Sequence, residues 1–317
     1  MAGTRYVSMI KENTFASEDV VNTGLITSEF AESTLDVAGD TAIELNKGFG
    51  RTTRHIAQGA YVPSGDVTGV LSVEYFPHIV SGLGKYAYQG DTHYFWNTDG
   101  KDLPSYQIQV GKDQVEQVFV GCTLNSININ CSKEYADFTA NYSCANDILN
   151  GDAKGVEDLT PIEETPITFA NVRINIDGED KTSTRVLNEL SIAIENNINA
   201  EDGIGLGDIH TKKIVAGEAS TTVDFEHLFT DDYFLTMFKQ GGTHTLELTF
   251  TDENSNYVKF YFPAIFLKNS QQNASGREVI KQPLSFKAMA GNCQVGERTI
   301  NTDCLISVKN GETQYNF

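Results

Sequence analysis

The residue types that most often carry chemistry are present here, but their spacing argues against a reactive site. The six histidines are His55, His78, His93, His210, His227 and His244, and no two sit at the spacing of roughly three to five residues that places zinc ligands on one helix face. The five cysteines, Cys122, Cys131, Cys144, Cys293 and Cys304, contain no Cys-x-x-Cys pair. They read as reduced, buried thiols, although Cys293 and Cys304 could flank and bridge a hairpin. Gly203-Ile204-Gly205-Leu206-Gly207 has the glycines of a phosphate cradle without the strand-to-helix context that would use them, so it reads as a hairpin tip. Asp252-Glu253-Asn254-Ser255-Asn256 begins like a calcium loop, but it lacks the central glycine and places Pro263 at the last ligand position, so it reads as a turn. With 43 acidic residues, close carboxylate pairs arise by chance. No catalytic residue, metal or cofactor is expected, and the chain is read as a non-enzyme.

The elements that would have to position any site are mostly strands. Tyr106, Ile108 and Val110 alternate with Gln107 and Gln109, and Ile127 and Ile129 alternate with Asn128 and Asn130. The same period of two runs through Val172, Ile174 and Ile176, through Leu190, Ile192 and Ile194, through Leu246, Leu248 and Phe250, and through Val258, Phe260 and Phe262. A period of two gives each strand one buried and one polar face, as in antiparallel sandwiches or barrels. Two stretches have helical spacing. One covers residues 74–83 and must start close to Pro77. The other covers residues 231–239, with Thr230 as the expected cap.

The two halves of the chain match. A shift of 158 positions lays residues 54–84 on 212–242 without a gap, placing Arg54 on Lys212, Gly59 on Gly217, Val67 on Phe225 and Gly84 on Gly242. Tyr75-Phe76 falls on Tyr233-Phe234, and Ile79-Val80 falls on Met237-Phe238. A shift of 140 then lays Tyr106, Ile108 and Val110 on Leu246, Leu248 and Phe250, so the first half carries an inserted loop around residues 85–102. Matched order and matched apolar positions indicate a duplicated domain. The expected division is residues 1–148, an acidic linker at 149–166, and residues 167–317, the last including a C-terminal extension.

Charge excludes several partners. The chain carries 23 basic and 43 acidic residues, a net of −20, with −11 in residues 1–158 and −9 in the remainder. Such a surface cannot coat DNA by displacing counterions, nor dock on an anionic membrane. No apolar run approaches the eighteen or so residues of a membrane helix, and the first residues do not resemble an export signal. The insertion holds Tyr86, Tyr88, His93, Tyr94, Phe95 and the single Trp96. Aromatic side chains on a loop need a surface to bury against, which makes these six candidates for a subunit interface. Gln107, Gln109, Asn128 and Asn130 are candidates for a water-filled interior.

The opening Tyr6-Val7-Ser8-Met9-Ile10-Lys11-Glu12-Asn13-Thr14-Phe15 resembles the Y-x-x-x-x-E-T-T-Y-G start of the tail tube proteins of tailed bacteriophages, with one more residue between Tyr6 and Glu12, Asn13 for the first Thr, Phe15 for the Tyr and Ala16 for the Gly. Glu44-Leu45-Asn46 through Gly50-Arg51 to Gly59, followed by a strand and a short helix ending in Gly-Leu-Gly, is similar as well. The doubled layout resembles members in which one polypeptide carries two tube domains. The resemblance implies a mainly β fold of two tandem sandwich or barrel domains, each with one short helix. It implies a trimeric, pseudo-hexameric ring, stacked into a major tail tube around a tape-measure protein and bounded by terminator and distal tail proteins. Genomic DNA would pass through without specific binding. The protein would be made and assembled in the host cytoplasm and reside in the virion tail. A hub or neck ring sharing the domain, and a non-viral β-rich binding protein or glycosidase, are the alternatives.

Overall fold

The computed structural model describes residues 4–37, 42–45, 53, 55–271, 279–315 and 317. Strands β1 (Thr4–Lys11), β2 (Ile26–Ser28), β3 (Glu32–Ser33), β4 (Ala42–Leu45), β5 (His55–Gln58) and β6 (Ser64–Val70) lead into helix α1 (Phe76–Val80). Strands β7 (Gly84–Gln89), β8 (Thr92–Asn97), β9 (Ser105–Asp113), β10 (Val115–Cys131), β11 (Asp137–Ser143) and β12 (Asn146–Leu149) follow. After β13 (Pro161–Ile162) come β14 (Val172–Ile176), β15 (Glu179–Asp180), β16 (Leu187–Glu195), β17 (Ser220–Leu228), helix α2 (Tyr233–Gln240) and β18 (His244–Thr251). The chain closes with β19 (Tyr257–Ser270), β20 (Lys281–Met289), β21 (Gly291–Val295), β22 (Arg298–Thr302) and β23 (Leu305–Lys309). Every alternating stretch read from the sequence lies in a strand, and its apolar members are buried.

Strand order repeats between the halves. The first runs β1–β9–β10–β11–β6–β3, and the second runs β14–β18–β19–β20–β17–β16. The long strands β10 and β19 each carry a bulge, at Leu124/Ser126 and Leu267/Asn269, against β11 and β20. An extra residue bends a strand. One strand therefore serves two sheets, which face each other over a shared core as a β-sandwich. Strands β12 and β23 take the same place in each half, Leu149 opposite Gln117 and Lys309 opposite Tyr257. Among the described residues the pairings branch but never return on themselves, so the sheets are open rather than a closed barrel.

Among the described residues two strand pairings join the halves: β10 with β16, from Ser126↔Glu195 to Cys131↔Leu190, and β23 with β8. One apolar core runs across the joint. Phe76 lies 5.9 Å from Phe138 of the first half and 6.0 Å from Phe260 of the second.

Helix α1 starts at Phe76, so Pro77 sits in its first turn, where a missing N–H costs nothing. A single 3-10 turn follows and ends at Gly84, whose φ of 96° is left-handed and suits glycine. Helix α2 begins at Tyr233, later than expected. Its first free N–H donates to Asp231 Oδ1 at 3.0 Å, so Asp231 takes the capping role expected of Thr230. Residues 149–166, read as an acidic linker, are tied down in part: β13 pairs in parallel with β2, and the half-buried Glu164 accepts from Ser72 Oγ at 2.8 Å and from Ser28 Oγ. All five cysteines are free and buried, with Cys293 in the hairpin β21–β22. Asp252 closes a turn by accepting from Asn254 N and Asn256 N, both at 2.8 Å, which occupies its carboxylate. Gly203 lies where a Cβ would meet Lys213 O at 1.9 Å, so its glycine serves close packing of a loop. Asn46, Gly50, Arg51 and Arg54 of the sequence matches lie outside the described residues.

Candidate assembly surface

The insertion at residues 85–102 is a β-hairpin, β7–β8, rather than a loose loop, because its aromatic residues alternate in-and-out along paired strands. Its outer edge pairs with β23, Phe95 opposite Ile306 and Trp96 opposite Leu305. His93 and Phe95 are fully buried, whereas Tyr86, Tyr88, Tyr94 and Trp96 are half-buried. One face stacks on the chain terminus: Tyr86 meets Phe317 at 5.0 Å and His93 meets Tyr315 at 4.5 Å, while Tyr315 N donates to Tyr86 Oη at 3.0 Å. The other face, with Ala87, Tyr94 and Trp96, packs on Cys293, Val295 and Leu305. The surface these aromatics cover is thus mainly their own chain's second half.

Burial here also perturbs titration. His78 on α1 lies 5.1 Å from Tyr315, and desolvation, helped by neighbouring His93, lowers it to about 4. At the opposite edge of the first half, Glu116 is buried and takes a hydrogen bond from Tyr6 Oη and an ion pair from Lys154 at 3.1 Å. Burial pushes the Tyr6 phenol up. This buried charge is paired and hydrogen-bonded, which is what makes it tolerable, and it clamps residues 150–154 to β1.

The four residues read as facing an interior separate into two pairs. Gln107 and Gln109 are buried, because the polar face of β9 is covered by the segment around Val21. Gln107 Nε2 and Gln109 Nε2 donate to Val21 O at 2.9 and 2.7 Å, and Lys154 Nζ donates to Gln109 Oε1 at 2.6 Å. Asn128 and Asn130 lie on an open face. Asn130 Nδ2 donates to Asp137 Oδ1 at 3.2 Å, and Asn130 Oδ1 accepts from Ser191 Oγ at 3.1 Å, a side-chain bridge from the first half to the second.

That face is the main surface feature of the molecule. The order β3–β6–β11–β10–β16–β17–β20–β19 forms one sheet through both halves. Its inner side carries Val67, Phe138, Ile129, Ile192, Val223 and Phe286, all buried. Its outer side is polar and acidic, with Asp66, Asp137, Glu195, Asp224 and Glu226. Lys281 is held by Glu226 at 2.7 Å, and Lys287 donates to Ser220 Oγ. The contributions of β16 and β17 escaped the sequence reading, although the alternation through Leu190, Ile192 and Ile194 already exposed Ser191 and Ala193. Periodicity shows that a strand has a polar face, but not which strands share it.

Its carboxylates are spread over several neighbouring strands. It is a two-ended sheet whose margins, at β3 and at the end of β19, have no second strand partner among the described residues. The family described as phage tail tube protein matches residues 4–288. No curated protein matches the chain.

Proposed function

Because the chain belongs to the phage tail tube protein family, a structural component of the virion tail, we propose that it is the major tail tube subunit and that copies close into rings which stack into a hollow conduit for DNA. The observation that carries this reading is the single sheet running through both halves, polar on one face and unpaired at both ends. An open edge is an aggregation hazard unless another strand completes it, and ring closure removes every edge at once.

In this reading residues 1–148 and 167–317 are two tube modules joined by 149–166, and three chains make a pseudo-hexameric ring. The outer face with Asn128, Asn130, Asp66 and Glu195 lines the bore. A wall on which carboxylates outnumber ammonium groups displaces few phosphate counterions, so DNA slides past it rather than binding. Before ejection the bore holds a tape-measure protein, and terminator and distal tail proteins bound the tube. The half-exposed Tyr88, Tyr94 and Trp96 stand where stacked rings or neighbouring chains would touch. Assembly takes place in the host cytoplasm.

Negative-stain electron microscopy of the purified protein tests the reading. Annular particles or tubes with a central hole, at three chains per ring by native mass measurement, are expected. A protein that stays monomeric at every concentration and ionic strength would overturn it.

A further inference from the structure

Three side chains of different chemistry converge where residues 150–154 lie on the sheet β1–β9–β10. Lys154 Nζ donates to Gln109 Oε1 at 2.6 Å and pairs with Glu116 Oε2 at 3.1 Å. Gln109 lies in mid-strand, opposite Ser8 of β1 and Val118 of β10, and has no exposed surface. The Glu116 side chain is 1% exposed and that of Lys154 25%. An amine therefore stands between a carboxamide and a buried carboxylate.

Each group is held by partners of its own. Gln109 Nε2 donates to Val21 O at 2.7 Å, which fixes the plane of the amide. Asn150 Nδ2 donates to Glu116 Oε1 at 2.6 Å, and Tyr6 Oη donates to Glu116 Oε2. The same Tyr6 Oη accepts from Lys154 N at 3.3 Å, so the lysine backbone and the carboxylate are both anchored on one hydroxyl. With Nζ 2.6 Å from the carbonyl oxygen, an ordinary hydrogen-bond angle puts the carbonyl carbon at about 3.4 Å, inside the ~3–3.5 Å range of a near-attack geometry.

We propose that this is a self-modification site, at which Lys154 Nζ and Gln109 Cδ join in an isopeptide bond with loss of ammonia. Glu116 Oε2 takes a proton from the ammonium, and away from water this transfer removes two charges at once. The freed amine attacks Cδ, the bond from Cδ to Nε2 breaks, and Glu116 returns its proton to the departing nitrogen. Ammonia leaves past the partly exposed lysine stem and is protonated in water. Lysine ammonium and carboxamide thus become a secondary amide and ammonium, and nothing is oxidised or reduced. The surroundings suit the product: Glu116 keeps its hydrogen bonds from Tyr6 and Asn150, and Val21 O keeps that from Gln107 Nε2 at 2.9 Å. The ion pair that clamps residues 150–154 becomes a covalent staple on β9. Lys112 supplies a contrast. Its Nζ donates to Gln117 Oε1 at 2.7 Å, but its carboxylate partner Asp36 is 71% exposed, where water stabilises both charges. The staple is therefore expected at Lys154 and not at Lys112.

Mass spectrometry of the purified full chain tests this, whether or not the chain assembles. The intact mass should lie about 17 Da, one ammonia, below that of the sequence. A tryptic digest should contain residues 102–112 joined to residues 134–173, because Lys154 no longer offers a cleavable ammonium, and fragmentation should place the branch at Gln109 and Lys154. Lys154→Arg keeps a cation for Glu116 but has no amine to acylate, and should restore the full mass. Glu116→Gln should restore it too, with Lys154 still present. A parent chain at full mass would overturn the proposal whatever the variants do. So would the same loss located as a ring closure at Asn150-Gly151, with residues 102–112 recovered unbranched. A branch that persists in Glu116→Gln, or a second one joining Lys112 to Gln117, would overturn the part given to the buried carboxylate.

Discussion

Helices α1 and α2 hold the same place in the two halves and share a pattern, Tyr75-Phe76 with Ile79-Val80 against Tyr233-Phe234 with Met237-Phe238. Their surroundings differ. In α1, Phe76, Pro77, Ile79 and Val80 are all buried, because the helix sits at the joint, touching Phe138 and Phe260 and covered by Tyr315 and Phe317. In α2 only Phe234 and Met237 are buried, and Phe238 is 43% exposed. Tyr233 is covered from outside by the Arg185 guanidinium at 4.0 Å, which also pairs with Asp231 at 3.2 Å. A shared local pattern makes the same helix twice, while the insertion and the chain terminus, each present once, decide how deeply it is buried.

The largest expected contrast is at the paired tyrosines. Tyr75→Ala removes a fully buried ring and should cost about 3–5 kcal/mol, whereas Tyr233→Ala, half-exposed, should cost about 1–2 kcal/mol. Urea unfolding of the two variants checks this, and equal losses would mean that the two helices are equally buried.

A pH effect belongs to α1 alone. His78 is depressed from 6.5 to about 4, while Thr236 stands at its place in α2 and does not titrate. The unfolded chain takes up this proton below about 6.5 and the folded chain only near 4. The stabilisation is therefore complete above 6.5 and lost as pH falls through that window, by at most roughly 3 kcal/mol. His78→Thr should flatten the acid side of the stability profile relative to the parent. Profiles that stay parallel from pH 7 to 4 would show that His78 is solvated.

The smallest contrast is at the helix ends. Val80→Ala should cost about 2 kcal/mol, and Phe238→Ala, on an exposed face, no more than about 0.5 kcal/mol in the isolated chain. A larger loss for Phe238→Ala in assembled particles than in free chains would show that a neighbour covers α2 as the terminus covers α1.

Much of this architecture was legible before any coordinates. Alternation located the strands because the pleat repeats every two residues whatever the fold, and the duplication was readable because apolar positions recur in order. The buried Gln107 and Gln109 mark where that reading stops. Their polar character correctly placed them off the core side of β9, but a chain segment around Val21, distant in sequence, converted that polar face into an interior one. The aromatic hairpin was recognised as needing a surface, and the surface proved to be β23 and Phe317 of the same chain.

The order of amino acids alone established strands, two short helices, a doubled plan and an acidic exterior, since these follow from local periodicity and composition. Only the folded chain decided that β10 meets β16, that one acidic sheet face spans both halves, and that β3 and the end of β19 stay open. Those outcomes depend on which distant segment reaches a strand edge first, and backbone edges look the same in every sequence.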